Sequence, residues 1–228
     1  MSFNFTQLIP GVGHEYSHVA TTAIVTTGLV LTSFAAKAAL GKGEDAILPA
    51  GQFSLRALIE LVTEFIAGLV DMVIGHHGRA YIPMFASVFV FVLVNNFVGI
   101  IPGMTPATEN LNTTLAMGVF MFLSYNYFGI KENGMAYLKH FLGPVIALAP
   151  LMVIIEIISH LVRPASLGLR LANVMGGDHK VVGIFLDLVP IGVPIPFYMM
   201  GMFVCFVQAF VFTLLSMVYV ALSTAHDH

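Results

Sequence analysis

The chain has 228 residues, 58% of them hydrophobic and only 9% charged, with a net charge of −3 and a mean hydropathy of +0.92. Soluble domains carry about 25% charged residues, so this composition excludes an ordinary water-soluble domain and fits an integral membrane protein. The slightly acidic balance, with a pI near 6.3, gives no support to nucleic-acid binding.

In chain order, the N-terminal Met1 to Gln7 carries no basic cluster, so no cleaved signal peptide is expected and the first span is expected to be retained. That span is Val19 to Ala36. Between Ser54 and Gly75, Arg56, Glu60, Glu64 and Asp71 fall on one stripe of an apolar segment, which predicts an amphipathic helix along the cytoplasmic surface. The runs Ala80 to Thr108, Asn110 to Ile130 and Leu188 to Ala225 contain no Asp, Glu, Lys or Arg, and each is long enough to cross a hydrocarbon core, which takes about 20 helical residues. From Met135 to Leu188 a long helical pattern is interrupted only by Pro144, Pro150, Pro164 and Gly176-Gly177. Such a segment far exceeds a core about 30 Å thick, so it must tilt steeply, break, or both. The expected fold is all-α, with about five membrane helices and one surface helix, the last two long and strongly inclined. No internal repeat is visible.

Basic residues set the orientation. Lys37, Lys42, Arg56 and Arg79 lie between the first two spans, and Lys131 and Lys139 follow the third, whereas the loop from Gly103 to Asn110 and the turn from Val189 to Pro196 have no Lys or Arg. The positive-inside rule then places the N-terminus outside and the C-terminus in the cytoplasm. Cys205 is the single cysteine, so no intrachain disulfide exists, and it reads as a small buried hydrophobe.

The chemistry lies in a polar stripe. Glu156, Ser159, Arg163, Ser166, Arg170, Asn173, Gly177 and Lys180 recur every three or four residues, which places them on one helical face. Lipid cannot satisfy such a face, so it lines a buried interface or an aqueous path. Ser159 and Ser166 fit either role. Arg170 is the anomaly. No acidic residue lies within a turn of it, a charge at mid-bilayer costs roughly 2.5–3.5 kcal/mol, and a guanidinium does not release its proton. It can serve as a fixed charge but not as a relay, and its partner must come from elsewhere. Asp178 and His179 can exchange protons or form a hydrated interfacial pair. Gln208, alone in an apolar helix, and Asn95 and Asn96 before Pro102 are interhelical hydrogen-bonders or path-lining groups. His76-His77 and His226-Asp227-His228 lack a ligand set, so no metal or cofactor is expected. There is no phosphate-binding loop or nucleophile elbow.

Pro164-Ala-Ser-Leu-Gly-Leu-Arg-Leu171, preceded by Glu156-Ile-Ile-Ser159 and followed by Gln208 to Tyr219, resembles subunit a of the F-type ATP synthase membrane sector. The segments Asn96 to Pro102 and Thr105 to Thr114 are similar to the same family, and the likeness covers most of the chain beyond about Leu48. The resemblance implies a non-catalytic, proton-translocating stator in the bacterial inner membrane. Its implied partners are a rotating c-ring with a membrane carboxylate, peripheral-stalk b subunits and the rest of the ATP synthase. It implies one membrane domain over 1–228, with residues 1–48 as an outer segment and first span, 49–78 as the cytoplasmic-side helix and 79–228 as the proton-channel core. Arg170 matches the essential arginine, Gln208 the glutamine facing it, Glu156 the carboxylate of the cytoplasmic half-channel, and Asn96 a polar position ending the second span. His179, with Asp178 beside it, matches the outer half-channel's ionisable position.

This chain departs from the family twice. The acidic residue or histidine usual seven positions before the glutamine is Gly201, so Asp178 or ordered water is expected to serve His179. The asparagine usual four residues after the arginine stands three after it, as Asn173, still on the same face. Two rivals remain from the residues alone: a secondary transporter using Arg170 to bind an anionic substrate, and a structural membrane scaffold.

Overall fold

The computed structural model describes residues 17–39, 54–101, 103–134, 149–188 and 194–224. Among them every regular element is helical: α1 (Ser17–Ala39), α2 (Leu55–Val73), α3 (Ile82–Val98), α4 (Leu111–Asn133), α5 (Ala149–Leu188) and α6 (Pro194–Thr224), with one-turn-type 3-10 segments at His76–Tyr81 and Ala107–Glu109. Lys42, Lys139, Pro102, the stretch from Met135 through Pro144, the turn at 189–193 and the C-terminal histidines lie outside the described residues. The chain divides between Ala107 and Thr108 into two compact units.

In the first unit α2 starts where Ser54, in extended backbone, accepts the Ala57 N–H on its hydroxyl, an ordinary N-cap. It ends at Gly75, whose φ of 87° is open to glycine at no steric cost. Ile66 and Val70 of α2 are fully buried and share the core with Phe85, Val88, Phe89 and Val92 of α3, Phe65 and Phe89 meeting with ring centroids 5.8 Å apart. The acidic charges of α2 lie toward water, Glu64 exposed and Asp71 open, and most of them close in pairs. Arg56 is largely buried and donates from Nε to Glu60 at 2.6 Å, Asp71 takes a two-point grip from Arg79 at 3.0 and 2.8 Å, and Leu58, Leu61 and Met72 are exposed. The exposed apolar side chains suit lipid contact.

In the second unit α4, α5 and α6 pack against one another. Association of helices in lipid relies on close backbone approach and interhelical hydrogen bonds, since lipid tails are as apolar as leucine. Both devices are present. A Cβ at Gly168 would stand 2.9 Å from the Thr114 carbonyl oxygen, and a Cβ at Gly118 would collide with that of Pro164. Asn133 donates across to the Ser223 carbonyl at 3.0 Å, tying the ends of α4 and α6. Thr213 and Ser216 return their hydroxyls to carbonyls four residues back, at 2.9 and 2.8 Å, so no buried hydroxyl is stranded there.

Of the alternatives expected for the long segment, tilt or break, no break occurs within 149–188. α5 runs for 40 residues straight through Pro164 and the Gly176-Gly177 pair. Proline withholds one N–H, but a chain in lipid has no water to receive the bonds a broken helix would release. At 1.5 Å per residue α5 is roughly 60 Å long, about twice the hydrocarbon core, so steep inclination remains. Four helical segments among the described residues are long and apolar enough to cross a membrane: Ser17–Lys37, His76–Val98, Leu151–Leu186 and Ile195–Thr224. α4, expected as a further span, has the length at 23 residues, but Asn112, Thr113, Thr114, Ser124 and Asn126 dilute its apolar character.

Candidate functional site

α5 positions the site by burying one face and leaving the polar stripe open. Leu167, Gly168, Leu171, Ala172, Met175 and Gly176 are buried against the unit, whereas Arg170, Asn173, Gly177 and Lys180 are exposed and Glu156, Ser159, Arg163 and Ser166 half-buried. From Arg170 onward the stripe's exposed members therefore do not serve packing within their own unit. Arg170 has no ion pair or side-chain hydrogen bond among the described residues, and a Cβ built at Gly177 would meet nothing within 4 Å.

Fourteen residues before Arg170, or roughly 21 Å along the axis, Glu156 sits at the centre of a charged cluster. Its Oε1 lies 3.4 Å from His160 Nδ1 and 3.8 Å from Arg163 Nη2. Arg163 lies over the Tyr219 ring of α6, its guanidinium carbon 5.7 Å from the centroid, a cation–π distance. His160 is buried against Tyr125 and Phe122 of α4, with centroids 5.7 and 6.4 Å away. His160 lies outside the polar stripe read from the sequence. The available signal was its position one turn after Glu156.

Nine residues beyond Arg170, or roughly 13 Å along the axis, Asp178 and His179 meet two neighbours. His179 Nδ1 lies 2.9 Å from Glu109 Oε2, on the 3-10 turn leading into α4. Glu109 fits because residue 176 is glycine: a Cβ there would stand 3.3 Å from Glu109 Cγ. On α6, a Cβ at Gly201 would lie 2.7 Å from Asp178 Oδ2, so the Asp178 carboxylate occupies the room a side chain at 201 would need. Beside the expected Asp178 or water, the structure gives His179 a carboxylate partner that was not expected, Glu109. Its signal was present too, since it is the one charged residue between Ala80 and Ile130.

Gln208 is buried on α6 with Nε2 lacking a hydrogen-bond partner, an amide available to an incoming group. In the first unit Asn96 is buried, and Asn95 donates to the Phe91 carbonyl at 2.8 Å while its Oδ1 is unsatisfied. The fold thus collects Glu109, Asp178, His179 and Gly201 at one end of the stripe and Glu156, His160 and Arg163 at the other, with Arg170 between.

Comparison with known proteins identifies the family. Residues 18–221 match the family model described as ATP synthase A chain. The chain is 72% identical over its full length to "ATP synthase subunit a" of Bdellovibrio bacteriovorus, covering all of that protein. It is 44% identical to "ATP synthase subunit a" of Geobacter sulfurreducens and 43% identical to "ATP synthase subunit a 3" of Pelobacter propionicus, each over 92% of this chain and 88% of the relative. With a family model spanning nearly the whole sequence and a full-length relative at that identity, the chain belongs to the ATP synthase A chain family.

Proposed function

We propose that this chain is the proton-translocating stator subunit of a bacterial F-type ATP synthase, and that Arg170 separates two proton paths along α5. The observation that carries the reading is an exposed arginine, without an ion pair among the described residues, on the open part of a polar stripe. Its natural complement is a carboxylate on another polypeptide, here one carried by each subunit of a rotating c-ring. A nearby cation favours the ionised carboxylate, so each ring subunit gives up its proton on reaching Arg170. The guanidinium blocks direct leakage because it keeps its own proton.

The two clusters supply the separated routes. Asp178 and His179 serve the outer path and Glu156 the cytoplasmic one, with Ser159, Ser166 and Asn173 extending the polar face and Gln208 offering its buried amide. Asn96, on the second span, is a further polar candidate. Residues 79–228 act as the channel core and 49–78 as the cytoplasmic-side helix, with the N-terminus outside, the C-terminus in the cytoplasm of a cell whose inner membrane holds the complex, and b subunits anchoring the stator. Each proton crossing 100 mV delivers about 2.3 kcal/mol, and the ATP chemistry is performed on other subunits.

In inner-membrane vesicles holding the intact complex, Arg170→Ala should reduce proton-driven ATP synthesis by at least about a hundredfold, on the scale of other lost charge-stabilising groups, while the subunit still co-purifies with the proteolipid ring. Normal synthesis by an assembled mutant would end this reading. Uptake of a small anion by the subunit reconstituted alone would favour a transporter instead.

A further inference from the structure

We propose that Glu109 is a working member of the proton path: with His179 it forms one proton-exchanging pair, in which Glu109 holds the imidazole Nδ1 and leaves Nε2 to receive and release the travelling proton. The inference rests on the stator reading above, and goes beyond it by adding a residue from a different element.

Three observations support it independently of any titration. Glu109 Oε2 and His179 Nδ1 are 2.9 Å apart although the residues are 70 positions apart in sequence, so the contact is built by the fold and not by a local turn. Neither side chain is sealed off, with 26% of Glu109 and 34% of His179 exposed, so water can reach both. The place is held open for them by two glycines: Gly176 admits the Glu109 stem, and Gly201 admits the Asp178 carboxylate next to His179. The imidazole is thus bonded to one carboxylate while a second stands beside it in the chain.

The chemistry follows from the inventory of imidazole. A carboxylate at Nδ1 fixes the tautomer with the hydrogen on Nδ1, and makes Nε2 the basic nitrogen. A proton from the water-filled side adds to the Nε2 lone pair. The resulting imidazolium is held by the Glu109 charge, then Nε2 releases the proton to the next acceptor, a carboxylate of the ring, and its lone pair returns. One proton enters and one leaves, with no change in oxidation state. Without Glu109 the imidazole loses both its fixed tautomer and the charge that stabilises the transient cation.

The test uses vesicles carrying the assembled complex, with proton-driven ATP synthesis as the rate and co-purification with the ring as the measure of assembly, and Arg170→Ala run alongside. Glu109→Gln should assemble normally and lose about tenfold or more in rate, the range of a lost proton-transfer group. Glu109→Asp should recover several-fold over the Gln variant, which a mere filler of the same volume would not. Adding Glu109→Gln to His179→Gln should cost little further, because Glu109 acts through the imidazole and has nothing to hold once it is gone. A Glu109→Gln complex that assembles and turns over at the normal rate while Arg170→Ala is inactive overturns this inference and leaves the stator reading standing. Failure of Glu109→Gln to assemble, with Arg170→Ala assembling, makes the contact a structural brace and overturns it equally. An active Arg170→Ala sinks the stator reading itself.

Discussion

The charged stripes of α2 and α5 have the same period and opposite outcomes. On α2, Arg56 closes on Glu60 and Asp71 on Arg79 of the following 3-10 segment, with donor–acceptor distances between 2.6 and 3.0 Å, and the acidic Glu64 stays exposed to solvent. On α5 the two ends of the stripe find partners, His160 and Arg163 for Glu156 and Glu109 for His179, but the central Arg170 finds none. Periodicity marks a polar face, and only the pairing within that face separates a structural stripe from one that awaits another molecule. An arginine whose ion pair is complete in its own helix is held by its own fold, whereas one left open in an apolar chain points outward.

Parallel substitutions test that contrast at its widest. Arg170→Lys keeps the charge but replaces a planar, permanently protonated fork with a compact ammonium whose proton affinity shifts readily. It should lose at least about tenfold in proton-driven synthesis. Arg56→Lys preserves an i,i+4 pair worth about 0.3–0.5 kcal/mol, and should leave synthesis and thermal stability nearly unchanged. Equal sensitivity of the two sites in the same vesicle assay would erase the distinction.

The next contrast lies across α5 itself. Gly118→Leu drives a side chain into the Pro164 carbonyl, and overpacking at a backbone contact costs about 1–3 kcal/mol or more. The assembled yield and melting temperature should fall. Gly177→Leu meets nothing within 4 Å in this chain, so the subunit should fold with unchanged thermal stability in detergent. If the open face docks a ring, the same variant should impair rotation-coupled synthesis severalfold. A Gly177→Leu enzyme with full activity would show that no partner approaches that face.

Much of this was legible in the chain. Charge-free runs marked the membrane helices, and the three-and-four spacing placed Glu156, Arg163 and Arg170 on one helical face, with Asp178 and His179 beside its far end. Continuity of α5 was not legible, because Pro164 and the glycine pair are breakers in water but not where the backbone has no solvent to bond instead. Glu109 escaped because periodicity sees only neighbours within one helix, and its partner lies 70 residues away. His160 escaped because it leaves the stripe toward the packed side, where it reads as core. Gly201 revealed a missing side chain, but not that Asp178 fills its space.

The smallest expected effect concerns the closed stripe of α2. The Arg79 guanidinium holds the Asp71 carboxyl below its ordinary range, chiefly through their hydrogen bonds. Lowered proton affinity in the folded state means that the unfolded chain binds the proton first as pH falls. The pair's contribution is therefore fully present above the ordinary carboxylate value of about 3.9, and disappears as pH drops through the lower folded value. Since Asp71 stands open to water, that contribution is small and screened by salt. Thermal melts of the wild-type subunit and Asp71→Asn should differ slightly at neutral pH and low salt, begin to converge as pH falls below about 4 and meet only below the lowered folded value, and converge at neutral pH when salt is raised. A gap that persists in acid would mean Asp71 acts through packing and not through its charge, and the α2 stripe would then owe its stability to something other than the closed pairs that set it apart from α5.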